Sequence, residues 1–281
     1  MQVVNTIMEL QALLDEARLN KEKIGFVPTM GALHQGHLSL VSEASKNSSV
    51  VVVSIFVNPT QFNNTNDLKR YPRDLQTDLD ALSTVKCDVV FAPEVDEVYP
   101  ETDTREFNFG ALETVMEGKY RPGHFNGVAQ VVSRLFDMVR PDKAFFGLKD
   151  FQQLAIIRAM TKQLQLPVEI VPCDTVREKD DLAMSSRNML LSTMHRKNAP
   201  VIARTLFESC NFVANKSVEE TKESVINAIN ATQGLEVEYF EIVDGYTLQP
   251  VDNWNDSDYI VGCIAVFADE VRLIDNVTYK K

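Results

Sequence analysis

The sequence predicts an α/β fold: a parallel sheet covered by helices on both faces, followed by a smaller α+β C-terminal domain. Three observations carry this expectation. Continuous β-branched apolar runs such as "SVVVVSIFVNP" and "CDVVFAP" are the pattern of strands buried on both faces. They alternate with amphipathic helical stretches, as βαβ units require. After about Asp174 the alternation stops, and helical stretches are followed by strand-like runs of an antiparallel sheet. The boundary is placed near Val176, which divides the chain into 1–175 and 176–281.

The elements follow in order. "MELQALLDEARLN" has Leu10, Leu13, Leu14 and Ala17 at helical spacing. "KIGFVPT" reads as a short strand ending in a loop at Pro28, and a helix is expected from His37 through "HLSLVSEASK". "SVVVVSIFVNP" is a strand, "DLQTDLDALSTVK" a helix and "CDVVFAP" a strand. "NGVAQVVSRLFDMVRP" puts Val128, Val131, Val132, Leu135 and Val139 on one helical face, with Pro141 after its end. "KAFFG", "DFQQLAIIRAMTKQL" and "PVEIVPC" read as strand, helix and strand. In the second half, "HRKNAPVIARTLFESCNFVANK" and "VEETKESVINAINA" are helical, and "VEYFEIVDGYTLQPV", "YIVGCIAVFA" and "EVRLIDNVTY" are strands.

Composition narrows the function classes. Of 281 residues, 44% are apolar and 24% charged, enough apolar side chain for a sizeable core. A net charge of −12 repels phosphate backbones, so neither nucleic acid nor a membrane surface is an expected partner. An anionic small molecule would need a site that gathers its own positive potential. The four cysteines, Cys87, Cys173, Cys210 and Cys263, form no C-x-x-C pair or zinc-ligand spacing, which points to a reducing cytoplasm. The first residues lack the apolar core of a signal peptide, and no run spans a bilayer.

In open α/β sheets ligands bind at the carboxyl ends of strands, and "PTMG", "VNPTQF" and "FFGLKD" all follow strands directly. "TMGALHQGHLSL" carries His34 and His37 three residues apart. If a helix opens there, its N-terminal amides and dipole favour anions, Gly31 and Gly36 permit close approach, and the imidazoles add donors. This phosphate reading competes with half of a metal site and with a capping loop whose histidines bond locally. No Gly-Lys-Ser/Thr follows, so the loop is not a Walker A. In "FGLKDFQQ", Lys149 suits a phosphate and Asp150 a helix cap or a ribose hydroxyl, while Gln153 can face a polar substrate; the blander readings are a solvated lysine and a surface glutamine. "LAMSSRNMLLS" offers two hydroxyls and a guanidinium to a pyrophosphate, or is a polar linker before a helix near Ser192. "EGKYRPGHFNGVAQVV" adds Arg121 and His124, or is a plain loop before a helix.

Taken in order and spacing, "PTMGALHQGH", "VNPTQF", "YPRDLQTDL", "EGKYRPGHFNGV", "FFGLKDFQQL" and "TVREKDDLAMSSRN" closely resemble the pantoate–β-alanine ligases, densely over residues 24–188 and more loosely beyond. The resemblance implies a Rossmann-like first domain and a two-step reaction. ATP and pantoate give an enzyme-bound pantoyl adenylate and pyrophosphate; β-alanine then yields pantothenate and AMP. It also implies Mg²⁺, a homodimer contacting around Val115 to Val139, and kinship with other enzymes bearing a His-x-Gly-His signature. By that resemblance Met30, Gly31, Ala32, Leu33, His34, Gln35, Gly36 and His37 line the ATP site, with His34, His37 and Lys149 catalytic. Gly147, Leu148, Lys149 and Asp150 contact ATP, Val176 lies by the adenine, and Met184, Ser185, Ser186 and Arg187 close over the triphosphate. Asn58, Gln61 and Gln153 face pantoate, with Tyr71 and Arg121 as secondary contacts. The C-terminal domain, hinged near Val176, and the loop after Gln61 are the candidates for closure over the intermediate.

The sequence departs from the family pattern at three places. Leu148 stands where Glu is frequent, Asp181 where Gly is usual, and "FNNTNDL" replaces a Gly-containing loop. Two rivals remain: a related adenylating or nucleotidyl-transferring enzyme acting on another acceptor, and a silent ATP-binding regulator. Gln61 and Gln153 suit a small hydroxy acid better than a phosphorylated acceptor, and the intact set of histidines, Lys149 and serines suits catalysis.

Overall fold

The computed structural model describes residues 1–61, 68, 71 and 73–281, so the loop after Gln61 lies outside the described residues. The chain forms two compact units. The first comprises Met1–Phe109, Arg121–Leu148 and Gln153–Asp174; the second comprises Gly110–Tyr120, Lys149–Gln152 and Thr175–Lys281. Two short stretches from the first 175 residues thus belong to the second unit.

The first unit is built on six parallel strands: β1 (Gln2–Val4), β2 (Ile24–Thr29), β3 (Val50–Ile55), β4 (Val89–Phe91), β5 (Lys143–Gly147) and β6 (Glu169–Cys173). Their order is β1-β4-β3-β2-β5-β6, so β2 lies where the order reverses. Phe26, Val27, Val51, Val52, Val53 and Phe145 are fully buried, as expected of strands covered on both faces. Each such large apolar side chain contributes about 1.5–3 kcal/mol. Strand β1 has no counterpart in the sequence reading, because three residues are too few to show a period. Strand β2 continues through Pro28 to Thr29.

All five apolar positions expected on the helix before Pro141 are buried in the helix His124–Val139. That helix also buries Gln130 and Ser133, whose side chains bond to backbone carbonyls.

The second unit has an antiparallel sheet of β7 (Glu236–Asp244), β8 (Ile260–Ala268) and β9 (Val271–Lys280), ordered β7-β8-β9. Its core gathers Ile202, Leu206, Val225, Ile229, Phe240 and Ile264 between this sheet and the helices Val201–Ser209 and Val218–Asn230. Two stretches read as single elements are divided. "HRKNAPVIARTLFESCNFVANK" becomes the helices Thr193–Asn198 and Val201–Ser209 and a 3-10 turn Cys210–Ala214, broken first at Pro200, which has no N–H to donate. "VEYFEIVDGYTLQPV" is strand only to Asp244, whose carboxylate accepts from the N–H groups of Tyr246 and Thr247 and turns the chain.

Candidate active site

In the first unit β2 lies between β3 and β5, the switch point outside whose strand ends ligands of open α/β sheets bind. The carboxyl ends there are Thr29, Ile55 and Gly147. After Thr29 the chain turns sharply. Gly31 has φ 80°, and a Cβ there would stand 2.8 Å from Oδ2 of Asp78 and 3.2 Å from Cγ2 of Ile55, so only glycine fits. Ala32 follows at φ 50°, a left-handed conformation costing about 1–2 kcal/mol outside glycine. Asp78 offsets this: its carboxylate accepts from the N–H of Ala32 at 3.0 Å and of Leu33 at 2.7 Å. Burial raises the pKa of Asp78, more than these two donors lower it. Thr29 adds a brace, donating to the carbonyl of Ser54 at 2.7 Å and accepting from the N–H of Gly31 at 3.3 Å.

The helix Gln35–Asn47 starts two residues before the expected His37, because His34 is its cap. Nδ1 of His34 accepts from the N–H of Gly36 at 3.1 Å, and Nδ1 of His37 accepts from the N–H of His34 at 3.3 Å. The pair is a capping box built from two imidazoles, with ring centroids 4.1 Å apart. A ring nitrogen that accepts from an N–H carries no proton, so the proton of each neutral ring is on Nε2. The capping and phosphate readings of this motif are therefore compatible, since the caps use Nδ1. No group of three or more His, Cys, Asp and Glu side chains among the described residues could hold a metal ion. One expectation changes. The amides of Ala32, Leu33, His34 and Gly36 are taken by Asp78 and the histidines, so these amides are not what the loop offers an anion.

Beyond β3, "VNPTQF" forms the 3-10 turn Pro59–Gln61. Gln61 Nε2 donates to Sδ of Met30 at 2.9 Å, which joins this turn to the histidine loop. The carbonyl of Gln61 accepts from Nδ1 of buried His124 at 3.0 Å; a carbonyl only accepts, so that nitrogen carries the proton. Gly127 lets its helix lie against the turn, since a Cβ there would stand 2.7 Å from the carbonyl oxygen of Thr60 and 2.9 Å from Cα of Gln61. Asn58 is only 1% exposed. Its Oδ1 accepts from Tyr99 Oη at 2.9 Å and Thr60 Oγ1 at 3.1 Å, and its Nδ2 donates to the carbonyl of Gly127 at 3.2 Å and Oε1 of Gln61 at 3.3 Å. Asn58 thus supports Gln61 from behind. Tyr71 is buried, and Arg121, Gly147, Leu148 and Gln153 are half-buried in the same unit.

The remaining residues of the expected site belong to the second unit. Lys149 and Asp150 lie in the 3-10 turn Leu148–Asp150, with Nζ 3.9 Å from Oδ2 and the lysine side chain only 17% exposed. Val176 and Met184 face each other across a hairpin: the N–H of Met184 donates to the carbonyl of Val176 at 3.0 Å, and Arg177 bridges Ala183. Asp181, at the tip, has φ 69°, a left-handed conformation that glycine adopts without cost. The hairpin leads to Ser185, whose hydroxyl accepts from the N–H of Arg187 at 3.3 Å and caps the 3-10 turn Ser186–Leu190. That hydroxyl keeps its own proton to donate. Asn188 Nδ2 closes the loop on the carbonyl of Ala183 at 3.1 Å.

Sequence reading missed Asp78, Tyr99, Gly127 and Thr29. Asp78 left a signal: it shares a buried helical stripe with Leu82, four residues on, where an acid is out of place.

The model of the Pantoate-beta-alanine ligase family matches residues 2–278. A pantothenate synthetase of Bacteroides fragilis is 57% identical over 281 residues, covering 100% of both chains. That of Porphyromonas gingivalis (strain W83) is 54% identical over 280 residues, again covering 100% of both. Among solved structures, a pantothenate synthetase of Thermus thermophilus superposes with a TM-score of 0.93 at 44% identity, over 100% of each chain. A Francisella tularensis ligase, solved with "Beta-gamma ATP" and β-alanine, gives a TM-score of 0.84 at 35% identity over 99% of this chain and 98% of that one.

Proposed function

The chain belongs to the pantoate-β-alanine ligase family, and from that premise we propose that it activates pantoate on ATP as an acyl adenylate before β-alanine captures it. The family's activity, joining pantoate to β-alanine in pantothenate biosynthesis, is this enzyme's. In the first step a carboxylate oxygen of pantoate attacks the α-phosphorus, the bond to the β-phosphate oxygen breaks, and pyrophosphate leaves. In the second the amine of β-alanine attacks the acyl carbon, the acyl–phosphate bond breaks, AMP leaves, and the nitrogen loses a proton.

The observation that carries this reading is the imidazole pair held in one tautomer at the end of β2. Displacement at phosphorus needs placement and charge stabilisation more than acid–base chemistry. Donors whose direction is set before reaction stabilise the developing charge without reorganising. Nε2–H of His34 and of His37 serve this role on the phosphates. Gln61, pinned by Met30, Asn58 and His124, orients pantoate and receives β-alanine, with Gln153 a second pantoate contact. Lys149, Asp150, Ser185, Ser186 and Arg187 are assigned to the same nucleotide through the family resemblance. The substrate is written as MgATP. Magnesium keeps phosphate and water ligands in preference to an all-protein cage.

The test is pyrophosphate release from MgATP. It should require pantoate, and adding β-alanine should give pantothenate. Release indifferent to pantoate, or driven by a phosphorylated acceptor, overturns the substrate assignment. We also propose a cytoplasmic homodimer; sedimentation at the mass of one chain overturns the dimer.

A further inference from the structure

Strand β9 carries Arg272, Asp275 and Asn276, and each holds a different stretch of the second unit. Side chains alternate between the faces of a strand. Leu273, Asp275 and Val277 are buried on one face, where Leu273 and Val277 join the core of that unit. Arg272 and Asn276, four residues apart, lie on the other. Nη1 and Nη2 of Arg272 pair with the carboxylate of Glu117 at 2.9 and 2.6 Å. Nδ2 of Asn276 donates to the carbonyl oxygen of Lys149 at 3.0 Å. Gln152 ties the two together: its Oε1 accepts from the N–H of Glu117 at 2.9 Å and its Nε2 donates to the carbonyl of Val115 at 2.9 Å. The Lys149 turn is thus held at Lys149 by Asn276 and at Gln152 by the stretch that Arg272 anchors. On the opposite face Asp275 takes Arg177 in a two-pronged pair at 2.7 and 2.8 Å. Arg177 also donates to the carbonyl of Asp181 at 3.0 Å, which locks the hairpin leading into Met184, Ser185, Ser186 and Arg187.

We propose that Asn276 is a positioning residue for Lys149, and that with its neighbour Asp275 it sets both phosphate-binding stretches of the second unit from one strand. The proposal rests on the reading of Lys149 as an ATP contact. A lysine stem has four rotatable carbons, so its ammonium is placed only if the peptide it grows from is fixed. The bond to the carbonyl of Lys149 fixes that peptide, and the low exposure of the Lys149 side chain shows that the stem is packed. Asn276 touches no reacting atom in this scheme; it acts through Lys149.

The test is a double-mutant cycle on the full chain, read by the dissociation constant for MgATP. Asn276→Asp keeps the side-chain shape and replaces the donor with an acceptor facing a carbonyl. It should weaken MgATP binding about tenfold in the parent and less than about twofold in a Lys149→Ala background, where no ammonium remains to be misplaced. The KM for pantoate should stay within about twofold of the parent. An effect equal in both backgrounds, or none in the parent, overturns the proposal. If Asn276→Asp does not fold, Asn276→Ala carries the same cycle. Pantoate-dependent pyrophosphate release by the parent is measured separately: a parent that binds MgATP but releases none overturns the adenylation reading and leaves the cycle to decide the role of Asn276.

Discussion

The two units hold the stretches assigned to ATP in different ways. In the first, the histidine loop is held by bonds between close neighbours, His34 to Gly36 and His37 to His34, with one buried carboxylate, Asp78, gathering the amides of Ala32 and Leu33. In the second, the corresponding stretches hang on charged pairs between distant segments: Arg272 with Glu117 and Glu238, and Arg177 with Asp275. Local neutral bonds choose a tautomer and a direction and cost little to form. Buried charge pairs choose which distant segments meet, and they become a liability as soon as one partner is lost.

That contrast predicts a hierarchy. The largest effect belongs to Arg272→Ala, which leaves Glu117 and Glu238 without their shared cation and Tyr239, whose hydroxyl donates to Glu117, against an uncompensated carboxylate. It should cost about 3–5 kcal/mol in chemical denaturation, and a loss below about 1 kcal/mol would mean that the pair is not what joins these segments.

The next effect separates two aspartates by the sign of their pH dependence. The Arg105 guanidinium, with Arg134 beside it, holds the Asp103 carboxyl well below the usual carboxylate range. Its folded pKa lies below the unfolded one, so its stabilisation is present above about pH 4 and is lost as pH falls. Asp78 has the reverse sign. Burial raises its folded pKa, so its contribution is greatest at low pH and declines as pH rises through the carboxylate range. Melting temperatures from about pH 6 to pH 3 should show a flatter acid limb for Asp103→Asn and a steeper one for Asp78→Asn. Parallel curves for the two would contradict the assignment. The smallest effect is Asp181→Gly. Relief of a left-handed aspartate is offset by glycine's greater freedom when unfolded, leaving a gain of about 0.5 kcal/mol. A clear loss would show that the Asp181 side chain is needed at the hairpin tip.

What was legible in the sequence follows the same division. Buried parallel strands announce themselves as unbroken β-branched runs, and residues 50–55 and 89–91 form strands where those runs lie. The histidine loop was legible because its bonding is local, although its helix starts at Gln35 rather than at the expected His37, because the imidazole of His34 caps it in the place of a serine. Asp78, 45 and 46 residues from the amides it serves, was visible only as an acid on an apolar stripe. The pairing of Glu117 with Arg272, 155 residues apart, leaves no trace in local pattern. Nor does the membership of residues 110–120 and 149–152 in the second unit. Charge pairs formed by chain crossing are invisible to periodicity, because any solvated helix face offers the same residues.

In the proposed function, Nε2–H of His37 is the donor that stabilises the reacting phosphates. His37→Asn places an amide oxygen near the position of Nδ1, so it keeps the cap and removes the donor. Pantoate-dependent pyrophosphate release by this variant should fall about a hundredfold or more, with its melting temperature close to the parent's. Turnover near that of the parent, in a chain that folds as well, would contradict the central claim.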